Sequence, residues 1–337
     1  MSLKSKLIRF LTVLVVVVLL VAAGCLIFMC NKAADLVLIP RRTPVDEYHK
    51  SVMVTPEKFG FGITPFSLRP EEGVEIKALF LEPHHEMTTA RRQTFAAQLK
   101  STGNEGLLNW SGPRGTLLLL HGRNSIKEHW FPVAERLCAI GYNIILADSR
   151  AHGATIGGYC TYGEKEASDA QSLLREAAKL HGDLGPVSVI GYSLGGAIAS
   201  RLITLDPQIK SAVIFSVFSS LQAVTDRVGE QRYGSLAGIA MPVVKSLVKL
   251  RGGFDMDTIS PLTCAGQITI PTMVVHGTKD SYIPISHGNA IYGALAATQK
   301  RWIEIPSAAH ADLFTQAGES LYVDIAVWIS GHTDQEK

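Results

Sequence analysis

The stretch Val187–Leu205 constrains the fold of this chain more than any other part of the sequence. It begins with a β-branched run, Val187–Ile190, that is typical of a buried strand. It ends with apolar residues at helical spacing from Leu194 to Leu205. Between them lies Gly191-Tyr192-Ser193-Leu194-Gly195, whose two glycines allow a strand to turn sharply into a helix. We therefore expect Ser193 to be a nucleophile held on a strained turn; an ordinary glycine-rich turn is the alternative.

The composition is that of a globular protein with a sizeable core. The chain has 337 residues, of which 47% are hydrophobic and 18% are charged, and its formal net charge is +2. A balance so close to neutral gives no reason to expect nucleic acid as a partner. The 5 cysteines include no Cys-x-x-Cys pair, so neither a disulfide framework nor a zinc site is expected. The oligomeric state stays open.

The uncharged run Phe10–Cys30 is long enough to cross a bilayer as one helix, which takes about 20 residues. We expect an uncleaved membrane anchor over residues 1–31. A lipoprotein signal and a cleaved secretory signal remain open, because Ala22-Ala23-Gly24 precedes Cys25. Basic residues before the run favour an amino terminus inside the cell, with the rest of the chain outside the cytoplasm. These residues are Lys4, Lys6 and Arg9.

Residues 32–65 contain several prolines and predict an irregular linker, and residues 66–337 predict one domain. After Thr116, short apolar strands alternate with helices, which predicts an α/β fold with a mainly parallel central sheet flanked by helices. Residues 218–266 interrupt this alternation. Within them, apolar residues from Leu236 to Leu250 recur at helical spacing. This helix either packs on the core, or forms an apolar lid that lines an acyl channel or contacts a membrane surface.

A serine hydroxyl is a weak nucleophile that needs a base, and the base needs an acid to orient it. Asp280 follows the predicted strand Thr272–Val275, and His310 follows the strand that ends at Ile305. The carboxyl ends of parallel strands meet at one edge of the sheet, where ligands bind. The order Ser193, Asp280, His310 is the nucleophile-acid-base order of one hydrolase arrangement. We predict that these three residues are catalytic.

Two other carboxylates are rivals for the acid. Asp312 lies two residues after His310, which is a poor position from which to orient that ring. Asp148 is expected to brace the loop after its own strand, together with Arg150. Three histidines in the turns are expected to be structural, and three more to lie at the surface. The first group is His121, His152 and His276, and the second is His129, His181 and His287.

From about Thr116 to Ile329 the chain resembles the α/β-hydrolase superfamily. The resemblance is strongest to the monoacylglycerol-lipase, lysophospholipase and serine-aminopeptidase-like branches. Five segments carry it in order: Leu120-His121-Gly122, Asp148-Ser149-Arg150-Ala151-His152-Gly153, Gly191-Tyr192-Ser193-Leu194-Gly195-Gly196, His276-Gly277-Thr278-Lys279-Asp280 and Ala309-His310. These motifs are specific for the fold and not for the substrate.

The resemblance implies a small helical cap at about 218–266, and catalysis without a metal or an organic cofactor. It also implies an oxyanion hole made by the backbone amides of Leu194 and of Arg123, the residue after His121-Gly122. Arg123-Asn124 stands where some esterases have further glycines. The Arg123 side chain lining the substrate entrance is therefore an alternative.

The expected activity is the cleavage of carboxylic esters, with lipid-derived acyl esters as the leading substrate class. Acyl thioesters and short peptides are the alternatives for the same triad. A catalytically silent, membrane-anchored binding protein on the same fold is the alternative of another class. Epoxide hydrolases and dehalogenases of this superfamily have an Asp where Ser193 stands, so their chemistry is disfavoured.

Overall fold

The computed structural model describes residues 3–333, and the ends of the predicted ranges 1–31 and 66–337 lie outside these residues. The first half of the chain contains α1 (Leu3–Leu38), α2 (Glu47–Val54), β1 (Phe61–Glu71), β2 (Val74–Pro83), α3 (Ala90–Ser101), β3 (Gly115–Leu120), α4 (Phe131–Ala139), β4 (Tyr142–Ala147) and α5 (Glu166–His181). The second half contains β5 (Val187–Tyr192), α6 (Leu194–Leu205), β6 (Ile209–Phe215), α7 (Leu221–Tyr233), α8 (Leu236–Gly252), α9 (Pro261–Ala265), β7 (Thr272–Gly277), α10 (Ile285–Ala294), β8 (Lys300–Ile305), α11 (Leu313–Ala317) and α12 (Glu319–Thr333). Short 3-10 turns lie at Pro56–Phe59, Glu105–Leu108, Lys127–Trp130 and Met256–Thr258.

One eight-stranded sheet organises the domain, with the strand order β1-β2-β4-β3-β5-β6-β7-β8. The strands β1 and β2 pair antiparallel, and so do β2 and β4. All later neighbours pair parallel. The predicted α/β class with a mainly parallel sheet is confirmed.

Helices cover both faces of this sheet, so the central strands are apolar on both sides. Along β3, Leu118 and Leu120 pack into the layer that contains α5 and α6. The alternate residues Leu117 and Leu119 pack into the layer that contains α3, α4 and α12. This alternation explains why β3 is a continuous apolar run rather than an amphipathic one.

Helix α1 has two parts with different surroundings. Its large apolar side chains from Leu7 to Met29 are mostly exposed, and this part is long and apolar enough to cross a membrane. From Cys30 the helix packs on the domain, because Cys30, Ala34 and Leu38 lie one turn apart on one face and are at most 1% exposed.

The helix itself does not end at residue 31, where the predicted anchor ends. Helix α1 continues to Leu38 and ends shortly before Pro40, whose ring disfavours a helical residue before it. The charged Lys32 and Asp35 end the apolar run in the sequence, but they lie outside the buried face. Residues 32–65, predicted to be irregular, also contain α2 and the start of β1.

Two helices between β6 and β7, α7 and α8, form an antiparallel hairpin that we call the cap hairpin (221–252). It lies within the predicted insertion 218–266. Helix α8 runs alongside the docked end of α1 in the same direction. Its residue Ala240 contacts Cys30, Arg251 pairs with Asp35 at 2.5 Å, and Gly252 lies against Leu38.

Candidate active site

The turn between β5 and α6 holds Ser193 in a strained conformation. Its φ of 52° and ψ of −109° lie in a region that residues other than glycine rarely adopt. The flanking glycines are sterically required. A Cβ on Gly191 would lie 2.3 Å from the carbonyl oxygen of Gly195, and one on Gly195 would lie 1.9 Å from that of Leu120. The predicted sharp turn is thus present, and its hydroxyl lies at the carboxyl edge of the sheet.

His310 lies in the loop after β8 and bridges Ser193 and Asp280. Its Nε2 is 3.0 Å from the Ser193 Oγ, and its Nδ1 is 2.7 Å from an Asp280 carboxylate oxygen. An ionised carboxylate only accepts hydrogen bonds, so Nδ1 carries the proton in the neutral ring and Nε2 accepts. In this tautomer Nε2 can take a proton from the serine hydroxyl.

Asp280 follows β7 and is almost fully buried. One oxygen accepts backbone hydrogen bonds from Tyr282 at 3.0 Å and Ile283 at 2.8 Å. Burial alone would raise the pKa of this carboxyl, but hydrogen bonds from His276 and His310 outweigh it and hold the pKa well below its usual range. Asp280 is therefore an anion that orients the imidazole.

Two tyrosines that no sequence motif identifies as functional enclose the His310 ring. The Tyr192 hydroxyl donates to the His310 carbonyl oxygen, and burial raises the pKa of this phenol, so it stays a donor. The Tyr282 ring meets the imidazole edge to face at 5.1 Å and is 48% exposed. Tyr192 occupies the variable position of the glycine-serine motif, so no sequence signal marks it.

The loop after β3 lies directly against the serine. A Cβ on Gly122 would be 3.6 Å from that of Ser193. The neighbouring His121 ring is buried, which lowers its pKa, and it accepts the Ser149 amide at 3.0 Å. Leu194 is the first residue of α6, where helical amides lack partners within the helix. The amides predicted for an oxyanion hole, those of Arg123 and Leu194, therefore belong to the two segments that meet at Ser193.

Comparisons with known proteins agree with this architecture. A family profile described as serine aminopeptidase, S33, matches residues 111–250. A monoacylglycerol lipase of Mycolicibacterium smegmatis is 25% identical over 252 residues, which cover 65% of this chain and 89% of the lipase. Protein YqkD of Bacillus subtilis is 24% identical over 181 residues, which cover 52% of this chain and 59% of YqkD.

Solved structures give the same result for the fold. The esterase Pf2001 of Pyrococcus furiosus superposes with a TM-score of 0.64 at 20% identity, over 88% of this chain and 98% of the esterase. The chain has the α/β-hydrolase fold. The proteins that it resembles include esterases, lipases and peptidases, and the predicted resemblance is confirmed.

The rival carboxylates of this domain have other partners. Asp148 is fully buried and binds the Lys127 ammonium at 2.7 Å and the Ala154 amide at 2.8 Å. Burial would raise its pKa, but Lys127 lowers it below the usual range. Asp312 accepts the Ala309 amide at 2.6 Å, so it shapes the loop that carries His310 rather than facing the ring.

Three of the other histidines lie in contacts that maintain the fold. Burial lowers the pKa of His152 to about 3, and its Nδ1 is 2.8 Å from the Arg150 carbonyl oxygen. His276 is buried beside Asp280, with its Nε2 2.8 Å from the Ile283 carbonyl oxygen. His287, expected at the surface, is half-buried and lies 2.8 Å from the Ser219 hydroxyl below the cap hairpin.

Proposed function

We propose that this α/β-hydrolase is a serine hydrolase of carboxylic esters in which Ser193, His310 and Asp280 form the catalytic triad. The observation that carries the proposal is the unbroken chain of hydrogen bonds from Asp280 through both ring nitrogens of His310 to the Ser193 hydroxyl. A nucleophile, a base in the accepting tautomer and a buried orienting anion are the parts that acyl transfer requires.

The reaction proceeds in two halves. The Ser193 Oγ bonds to the acyl carbon while His310 Nε2 takes the hydroxyl proton, and the carbonyl oxygen becomes an oxyanion. The bond to the leaving alkoxide then breaks, and His310 gives its proton to that oxygen. Water repeats the sequence on the acyl-enzyme and releases the acid. The amides of Arg123 and Leu194 are the proposed donors to the oxyanion, and losing one such donor costs about 10²–10³-fold in kcat.

We propose that the exposed part of α1 anchors the protein in a membrane. Its apolar side chains from Leu7 to Met29 have no protein surface to pack on within residues 3–333, whereas those from Cys30 do. The basic residues that precede this part favour an amino terminus on the cytoplasmic side, which supports a catalytic domain outside the cytoplasm. A signal sequence is the alternative reading of the same helix.

The substrate class that we propose is an ester with an apolar acyl chain derived from a lipid. Two features support it. The cap hairpin lies beside the proposed anchor, and it exposes Leu236 and Ile239 at 66% and 68%. The triad thus lies in a domain held where lipid esters reside. One matched relative is a monoacylglycerol lipase, which agrees with this class.

The first test is covalent labelling with a fluorophosphonate, which reacts with an activated serine. We expect the wild type to be labelled, and Ser193→Ala to lose both labelling and ester turnover. Ser320→Ala, which changes an exposed serine at the start of α12, is the matched control and keeps both. An unlabelled wild type, or equal labelling of Ser193→Ala, would show a catalytically silent protein or another nucleophile.

A second test separates the candidate substrates. We expect kcat/KM on p-nitrophenyl esters to rise with acyl length beyond four carbons, because each buried methylene contributes about 0.8 kcal/mol. Aminoacyl amides and acyl thioesters of matched length are compared on the same preparation. Faster cleavage of the amides would assign the protein to the peptidases instead, as the matching family profile suggests. Faster cleavage of the thioesters would assign it to the thioesterases.

A further inference from the structure

The carboxyl end of α1 is capped by groups from the loops around the active site. The last carbonyls of a helix lack partners within it, and α1 has no basic residue in its own last turn. The Arg123 guanidinium donates to the carbonyl oxygens of Leu36 and Val37. The Tyr162 hydroxyl donates to that of Val37 at 3.1 Å. A cation is also favoured at the negative end of a helix dipole.

Arg123 is the residue whose amide is proposed for the oxyanion hole. Its backbone follows Gly122, which lies against Ser193, while its side chain extends away to α1. One residue thus joins the reacting centre to the helix end. Because its side chain is held at α1, a large shift of the loop would break these hydrogen bonds.

The segment just after α1 binds the next residue of the same loop. Asn124 adopts a φ of 60°, and its side-chain oxygen accepts the Arg41 amide at 2.8 Å. Its carbonyl oxygen accepts the Thr43 hydroxyl at 2.5 Å. The loop is therefore held by hydrogen bonds both to the end of α1 and to the chain that leaves it.

The helix end that holds this loop is itself fixed. Cys30, Ala34 and Leu38 are buried on the domain, and Asp35 pairs with Arg251 of the cap hairpin at 2.5 Å. The other part of α1 is the proposed anchor. One continuous helix therefore connects the proposed anchor, the cap hairpin and the loop beside Ser193.

We propose that Arg123 is a positioning residue that sets the oxyanion-hole amide by docking its side chain on the carboxyl end of α1. The apolar helix is then part of the catalytic centre and not only an anchor. This inference rests on the proposed function, because it concerns the transition state of the same reaction.

The test uses full-length protein in phospholipid nanodiscs, with Arg123→Met to remove the guanidinium while keeping chain length. Turnover of a p-nitrophenyl ester is divided by the number of sites that a fluorophosphonate labels at completion. We expect kcat per labelled site to fall about 10- to 100-fold, less than the 10²–10³-fold cost of losing a donor outright. KM changes little. Arg123→Lys recovers part of kcat, since an ammonium reaches the carbonyls as a single point donor.

A second readout separates positioning from folding. The Ser193 hydroxyl adds to the carbonyl carbon of a trifluoromethyl ketone and gives a tetrahedral oxyanion. The inhibition constant of this ketone should therefore rise by the same factor by which kcat/KM falls across the variants. Arg301→Met, which removes a half-exposed arginine paired with Asp324, is the control and leaves both values unchanged. Tyr162→Phe removes one hydrogen bond to the helix end, so we expect a smaller loss than in Arg123→Met. The Tyr162→Phe variant tests the proposal if Arg123→Met does not fold.

Two results would overturn the inference. One is wild-type kcat per labelled site in Arg123→Met, or in Tyr162→Phe if the methionine variant cannot be made. The other is a loss that affects only the number of labelled sites and the melting temperature, because such a loss would indicate a purely structural role. Failure of the proposed function looks different, because the wild type would then be unlabelled or Ser193→Ala would retain turnover.

Discussion

The two carboxylate oxygens of Asp280 have different partners: one contacts backbone amides and the other faces two histidines. One oxygen accepts two amides of its own turn, and the other faces His310 at 2.7 Å and His276 at 3.5 Å. The backbone contacts fix the carboxylate before any substrate arrives. The position of the His310 ring therefore depends on a group that the loop after β7 holds rigidly.

We expect Asp280→Asn to lower kcat about 10⁴-fold while the protein stays folded, because an amide can donate to Nδ1 and stabilise the wrong tautomer. Nε2 would then carry the proton and could not accept one from Ser193. The comparison is Asp312→Asn, which alters a carboxylate on the same loop as His310 and should keep most of kcat. Similar losses in the two variants would contradict the assignment of the acid. Both are measured per fluorophosphonate-labelled site.

The lowered pKa of Asp280 also predicts how stability depends on pH. Its folded-state pKa lies below the unfolded value of about 3.9, so its contacts stabilise the folded protein at every pH above about 4. This contribution is lost as the pH falls below 4 through the folded-state pKa. Between pH 6 and pH 3, the free energy of unfolding should therefore fall less in Asp280→Asn than in the wild type. Chemical denaturation followed by tryptophan fluorescence measures this, and equal falls would contradict the shift.

At the scale of elements, the strands and the turn that carries Ser193 could be predicted from the sequence. Each candidate residue follows a short apolar run, and in a parallel sheet such runs end at one edge. The order of Ser193, Asp280 and His310 along the chain then predicts the role of each residue. The contacts of Tyr192, Tyr282 and the Arg123 side chain could not be predicted, since they depend on how distant loops approach one another.

The ends of α1 and β1 could not be predicted from sequence patterns either. Lys32 and Asp35 break the apolar run of α1, and only the domain surface makes the face of Cys30, Ala34 and Leu38 a buried one. Strand β1 contains Pro65 and Pro70, which argue against a strand in the interior of a sheet. Within residues 3–333 it pairs only with β2, as an edge strand, where a missing amide is tolerated.

At the scale of the whole molecule, the contacts of α8 with α1 define how the cap hairpin is oriented relative to the proposed anchor. Ala240 lies beside Cys30 and Gly252 beside Leu38, so α8 begins at the proposed membrane side and ends at the domain. The turn between α7 and α8 is therefore level with the point where α1 changes from exposed to buried. The exposed apolar side chains of Leu236 and Ile239, at this level, are suited to contact the outer part of a bilayer.

This arrangement predicts that the hairpin tip touches lipid. A tryptophan introduced by Ile239→Trp, at a position 68% exposed, should be quenched by phosphatidylcholine brominated on its acyl chains in proteoliposomes. The 4 native tryptophans give a background that the wild type measures. Leu205→Trp is the matched control, because this residue is 42% exposed at the end of α6 that lies away from Ser193.

We expect quenching above background for Ile239→Trp and none for Leu205→Trp. Helix α6 has 12 residues, so at about 1.5 Å per residue its far end lies roughly 18 Å from the serine. No quenching above background in Ile239→Trp would mean that the hairpin stays in water. The cap would then only pack on the core, and acyl chains would reach Ser193 from solution rather than directly from the bilayer.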